Sequence, residues 1–107
     1  MPLLEENFHA DMLNIYERAK SEAKYNATRY LHMVGENGGL ETAKILIHAN
    51  KVSDGYTALY MKKRLDLTVE ALIFDNPKYH ELFTDEELEI CRKRLQAYQY
   101  LPALNEK

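Results

Sequence analysis

One cysteine, no tryptophan, four glycines and three prolines occur in 107 residues, and no stretch approaches the ~18 apolar residues that a membrane-spanning helix needs. Cys91 on its own cannot close an internal disulfide, so no cross-link supplements the core. Met1 to Glu6 lacks the basic and apolar regions of a secretion signal, and these two observations together predict a cytoplasmic location. An excess of positive charge is also missing. With 17 acidic against 14 basic residues the formal charge is −3, and no global field draws the chain onto nucleic acid or an anionic membrane. The composition is 46% hydrophobic and 29% charged, far from the pattern that keeps a chain disordered. One domain over residues 1–107 is therefore expected, with Pro102 to Lys107 as a frayed tail.

What is abundant is helix-forming. Ala, Leu, Glu and Lys supply 46 residues, whereas Val, Ile and Thr supply 13, a balance that favours helix over strand. The fold class predicted is all-α: a compact bundle of five or six short helices with a long N-terminal one. Leu4, Phe8, Met12, Ile15, Tyr16, Ala19 and Ala23 recur at steps of three and four and stripe the first helix. Asn26 reads as the N-cap of a second helix carrying Ala27, Tyr30, Leu31 and Val34, which Gly38-Gly39 ends. Leu40, Ala43, Leu46 and Ile47 stripe a third helix running to Asn50-Lys51. Ser53-Asp54-Gly55 opens a fourth that turns Val52, Tyr56, Leu59 and Tyr60 inward, and the pair is expected to form a helical hairpin. Leu65, Val69, Leu72 and Ile73 mark a fifth, capped by Asp66 and stopped by Asn76-Pro77. A single turn is expected to hold Tyr79, Leu82 and Phe83. Thr84 with Glu87 forms a capping box ahead of a last helix striped by Leu88, Cys91, Leu95 and Tyr98.

Few residues are placed for chemistry. Cys91 lies on the Leu88–Leu95 stripe while Arg92 and Arg94 point elsewhere, so it reads as a packed core thiol rather than a nucleophile. His9, His32, His48 and His80 fall in four segments without a His-x-x-x-His pair. His32 with Glu36 has ligand spacing, but too few donors for a metal site. Glu86, Glu87 and Glu89 sit where a helix N-terminus attracts acidic groups. No phosphate-binding glycine loop or Gly-x-Ser-x-Gly elbow occurs, and no catalytic residue, cofactor or metal is assigned. Two basic clusters, Lys62-Lys63-Arg64 and Arg92-Lys93-Arg94, read first as solvated surface. If they share a face, Lys62, Lys63, Arg64 and Arg92 are the candidate nucleic-acid contacts. A helix-turn-helix made by the third and fourth helices would turn Thr57, Met61 and Lys62 toward a groove, against the charge of Asp54. Met61, Tyr98 and Tyr100, expected to be exposed, are the candidate protein contacts.

The segments Tyr25-Asn26-Ala27-Thr28-Arg29-Tyr30, Gly38-Gly39-Leu40-Glu41-Thr42-Ala43-Lys44, Val52-Ser53-Asp54-Gly55-Tyr56-Thr57, Arg64-Leu65-Asp66-Leu67-Thr68-Val69-Glu70-Ala71-Leu72 and Leu82-Phe83-Thr84-Asp85-Glu86-Glu87-Leu88 together resemble a small bacterial all-helical family. The resemblance implies a helical module, standing alone or appended to larger proteins, some of them nuclease-like, with no activity attached to the module. Where the family pattern has Trp-Glu and then Gly before the Arg, this chain has Tyr60, Met61 and Lys63. A noncatalytic interaction or accessory module, with protein as its partner, is the first expectation. A weak nucleic-acid binder comes second, and a small hydrolase or metal enzyme third.

The position of Cys91 generates a direct test. A thiol reagent should label the native protein slowly and the unfolded protein rapidly, and fast native labelling would reopen the nucleophile reading.

Overall fold

A computed structural model describes residues 3–100; the tail expected at Pro102 to Lys107 lies outside the described residues. The all-α prediction holds, with six α-helices and two 3-10 turns among the described residues. The first helix, α1 (Leu3–Glu22), buries Phe8, Met12, Ile15, Tyr16 and Ala19, the stripe set by the 3.6-residue period. It is followed by α2 (Thr28–Asn37), α3 (Gly39–His48), α4 (Asp54–Met61), α5 (Val69–Phe74) and α6 (Asp85–Ala97). The 3-10 turns Leu65–Leu67 and Pro77–Leu82 flank α5.

The main core gathers Phe8, Met12, Val34, Ile47, Ile73, Tyr79 and Cys91 from five elements and the second 3-10 turn. Phe8 meets Tyr79 and Phe83 edge to face, with ring centroids 5.0 and 5.5 Å apart. Five successive residues of α5, Val69 to Ile73, are buried. Helix α5 is thus enclosed rather than amphipathic, packing on α1 and most extensively on α6.

Two adjacent glycines join α2 to α3 for different reasons. Gly38 has φ 86° and ψ 160°, a region that side chains essentially forbid. Gly39 lies against α1: its amide donates to His9 Nδ1 at 2.9 Å, and a Cβ there would meet His9 Cα at 2.7 Å.

Three other helix ends close without glycine. Lys24, Lys63 and Gln99 have φ of 58°, 62° and 66°. In each case the next amide reaches back to the last turn: Tyr25 to Ala19 O at 2.9 Å, Arg64 to Leu59 O at 2.8 Å and Tyr100 to Leu95 O at 2.8 Å. The ends at Lys63 and Gln99 are Schellman closures, whereas Tyr25 reaches one residue further back, and in each the left-handed non-glycine residue carries roughly 1–2 kcal/mol of strain.

Several local expectations are corrected. Asn26 does not cap α2, because Tyr16 Oη donates to its Oδ1 at 2.8 Å; the cap position falls on Ala27, without a side-chain bond. Asp66 does not cap the fifth helix. Leu65–Leu67 forms a separate turn, and Thr68 Oγ1 accepts from the Ala71 amide at 3.2 Å, so α5 begins at Val69. Helix α3 stops at His48, before Asn50. The hairpin is absent, since α4 packs on the Leu65–Leu67 turn while α3 packs on α1, α2 and α6. Ser53 does cap α4, and the Thr84–Glu87 capping box is present in both directions.

The Gly39 approach yields a stability test. Gly39→Ala should destabilise the fold by about 1–3 kcal/mol, because the clash is with backbone that cannot rotate away; denaturant melts showing no loss would refute the close crossing.

Candidate functional site

The groups with most chemical potential are engaged within the chain. Cys91 is fully buried, and burial together with the nearby Glu70 pushes its thiol up to about 12. It is the inert core cysteine that its stripe position implies. Burial alone would raise the Glu87 carboxyl, but Lys44, the Thr84 amide and His48 outweigh that and hold it down at about 2. Lys44 Nζ and His48 Nε2 lie 2.8 Å from its two oxygens, so the capping glutamate also ties α3 to α6. Tyr79 Oη donates to Asp11 and locks the Pro77–Leu82 turn to α1. Among the described residues no three His, Cys, Asp or Glu side chains converge as metal ligands, and His32 stands exposed on α2.

One polar pair escaped the sequence reading. Glu70 is 3% exposed, inside the apolar run of α5. Arg94, expected on the surface, turns inward. Its Nη1 donates to Glu70 Oε2 at 2.8 Å and to Leu46 O at 3.2 Å, and its Nη2 donates to Ala49 O at 2.8 Å. One guanidinium therefore neutralises the buried carboxylate and satisfies carbonyls at the end of α3. Burial raises the Glu70 carboxyl and Arg94 opposes the rise. The available signal was Glu70 itself, a lone charge among Val69, Ala71, Leu72 and Ile73.

The candidate nucleic-acid residues occupy different settings. Lys62 and Lys63 are exposed at the end of α4, with Lys63 forming its left-handed closure. Arg64 donates to Glu22 Oε1 at 2.8 Å and to Asp66 Oδ1 at 3.0 Å. Arg92 is held by Glu89 and by Gln96 Oε1, the latter at 2.7 Å. The two arginines thus belong to separate ion networks, each containing carboxylates. A helix-turn-helix does not form, because α4 does not pack along α3.

The candidate protein contacts divide. Tyr98 is half-buried and meets Tyr56 and Tyr60 edge to face, with centroids 5.0 and 4.9 Å apart. Tyr56 anchors this stack from the interior, its hydroxyl donating to Arg94 O at 2.9 Å. Tyr60, expected inside, is instead 42% exposed, and Met61 beside it is 72% exposed. Tyr100 is half-buried and donates to Asp75 Oδ2 at 2.6 Å, away from the open surface its position near the tail suggested.

On the other side of Tyr56 lies a cleft of about 500 Å³. Ile15, Ala19, Tyr30, Met33, Leu46 and Leu59 form much of its wall, Glu70 is its buried charged residue, and Arg29, Lys51 and Asp54 are exposed members of its lining. No periodicity in the sequence marks it, because the residues come from five separate segments.

Comparison with protein-family models, curated proteins and solved structures returns no match. No helix among the described residues is long and apolar enough to cross a membrane.

The buried pair can be tested by a double-mutant cycle. Arg94→Met should cost about 3–5 kcal/mol, since it strands a buried carboxylate. Glu70→Leu combined with Arg94→Met should recover part of that loss, the remainder reflecting the α3 carbonyls left unpaired. Strictly additive effects on the denaturation midpoint would show that the two side chains are not coupled.

Proposed function

We propose that this domain is a noncatalytic interaction module that docks onto another protein surface through Tyr60, Met61 and Tyr98. The observation that supports this reading is the three-ring stack at the end of α4. Its base, Tyr56, is buried and hydrogen-bonded, Tyr98 between is half-buried, and Tyr60 and Met61 face solvent. Aromatic rings fixed in place before binding lose little entropy on association, which is why such residues anchor protein interfaces. A cytoplasmic location belongs to the same reading, since Cys91 is buried and unpaired.

Nucleic-acid binding stays second. Arg64 and Arg92 are bound to in-chain carboxylates, and bringing them to phosphate would first require breaking those pairs. Only Lys62 and Lys63 among the four candidates lack such a partner among the described residues. A hydrolase reading has less support, because Cys91, Glu87 and Glu70 are all committed to packing or ion pairs.

A photo-crosslinking residue at position 61 should capture one discrete protein in cells, a second copy or another chain, whereas the same residue at position 45, also an exposed apolar site, should not. Purified protein should ignore DNA and RNA at low salt. Micromolar, salt-sensitive nucleic-acid binding that is lost on neutralising Lys62, Lys63, Arg64 and Arg92 would reverse the ranking.

A further inference from the structure

The cleft beside Tyr56 has a chemistry of its own, independent of the tyrosine ledge. Its volume, about 500 Å³, falls within the ~300–1,000 Å³ of small-molecule pockets. The buried polar groups of its wall are already used, while, among the described residues, the half-buried Tyr25 and the exposed Thr28 keep their hydroxyls free. Tyr16 donates to Asn26, Tyr30 to Met12 O at 2.8 Å and Tyr56 to Arg94 O, so these tyrosines have no hydroxyl proton left for a ligand. Thr68 Oγ1 bonds Leu65 O and the Ala71 amide, Ser53 Oγ accepts from the Tyr56 amide, and the Glu70 carboxylate is held by Arg94. What these groups leave to an occupant is chiefly apolar side chain and ring surface. Filling that space would be driven by burial of apolar area.

The exposed edge of the lining carries two cations without a carboxylate partner, a condition it shares with Lys62 and Lys63 at the end of α4. Arg18, Lys44, Arg64, Arg92 and Arg94 all pair with carboxylates. Arg29, in the first turn of α2, and Lys51, in the loop before α4, have no acidic partner among the described residues. Asp54 also lines this edge, but it sits in the first turn of α4, where the helix amides favour its charge. Two unpaired cations against one such carboxylate leave the entrance net positive.

We infer that the cleft binds a free single-chain anionic amphiphile, an apolar body carrying one carboxylate, with the body among Ile15, Met33, Leu46 and Leu59 and the carboxylate at Arg29 and Lys51. A neutral molecule of the same shape would gain the burial and forgo the charge. A cationic one would meet repulsion at the entrance, and the Glu70 carboxylate is already taken by Arg94.

The test uses dodecanoate, dodecanol and dodecylamine below their micelle concentrations, followed by displacement of an environment-sensitive dye and by calorimetry on the full chain. Dodecanoate should bind at one site, dodecanol more weakly and dodecylamine weakest. Arg29→Gln with Lys51→Gln, both exposed positions that leave the core intact, should weaken dodecanoate roughly five- to tenfold and leave dodecanol unchanged. Ala27→Trp, which fills the cleft, should abolish binding of both while helicity by circular dichroism is retained. Dodecanoate binding that ignores the double substitution, dodecylamine binding as tightly, or no binding by any of the three would overturn the proposal. Competition by phosphatidylglycerol vesicles would overturn it in favour of a membrane lipid.

Discussion

The fold is organised around one buried ion pair. Helix α5 is enclosed by its neighbours, yet it carries a buried carboxylate, Glu70. An unpaired charge in that position would be among the most costly features a small domain could contain. Arg94 resolves it from α6 and at the same time holds the carbonyls of Leu46 and Ala49 at the end of α3. Three helices with no local reason to meet in one arrangement are thereby held in register. Hydrophobic burial supplies the drive for collapse; the geometry of one guanidinium selects which collapsed arrangement satisfies its polar groups. Glu87, bonded by Lys44 and His48, repeats the device at the start of α6.

Tyr56 links that centre to both candidate surfaces. Its hydroxyl bonds the carbonyl of Arg94, its ring supports Tyr98, and it forms part of the cleft wall. The ledge and the cleft are therefore two faces of one packed residue. A ligand that moved Tyr56 would be felt at Tyr98 and Tyr60, because edge-packed rings in a dense interior do not shift independently. The protein-docking and ligand-binding readings rest on separate observations, yet they share this physical connection.

Backbone closures give the bundle its shape. Gly38 permits a one-residue turn between α2 and α3, and Gly39 lets α3 approach α1 at His9. At Lys24, Lys63 and Gln99 the chain takes up left-handed turns without glycine. Two of these closures gain apolar contact in exchange, as Tyr25 packs in the cluster containing Ala19 and Tyr100 in the cluster containing Leu95. Such ends arise from what the following residue can bury, which is a property of the tertiary fold.

The sequence by itself determined the class of fold, the apolar stripe of α1, the inward position of Cys91, the break at Gly38 and the capping box at Thr84, because each depends on residues within a few positions of one another. It failed where another side chain competed for the same atom: Asn26 was taken by Tyr16 from the preceding helix rather than by its own, and Asp66 by Arg64, a neighbour along the chain. Among the site residues, exposure of Met61 followed from its place at a helix end, whereas Arg64, Arg92 and Tyr100 acquired carboxylate partners. The burial of Arg94 against Glu70, the exposure of Tyr60 and the cleft were decided only by the tertiary structure. Each depends on how separate segments pack together, and helical periodicity specifies which face of a helix is apolar without specifying which other element covers it.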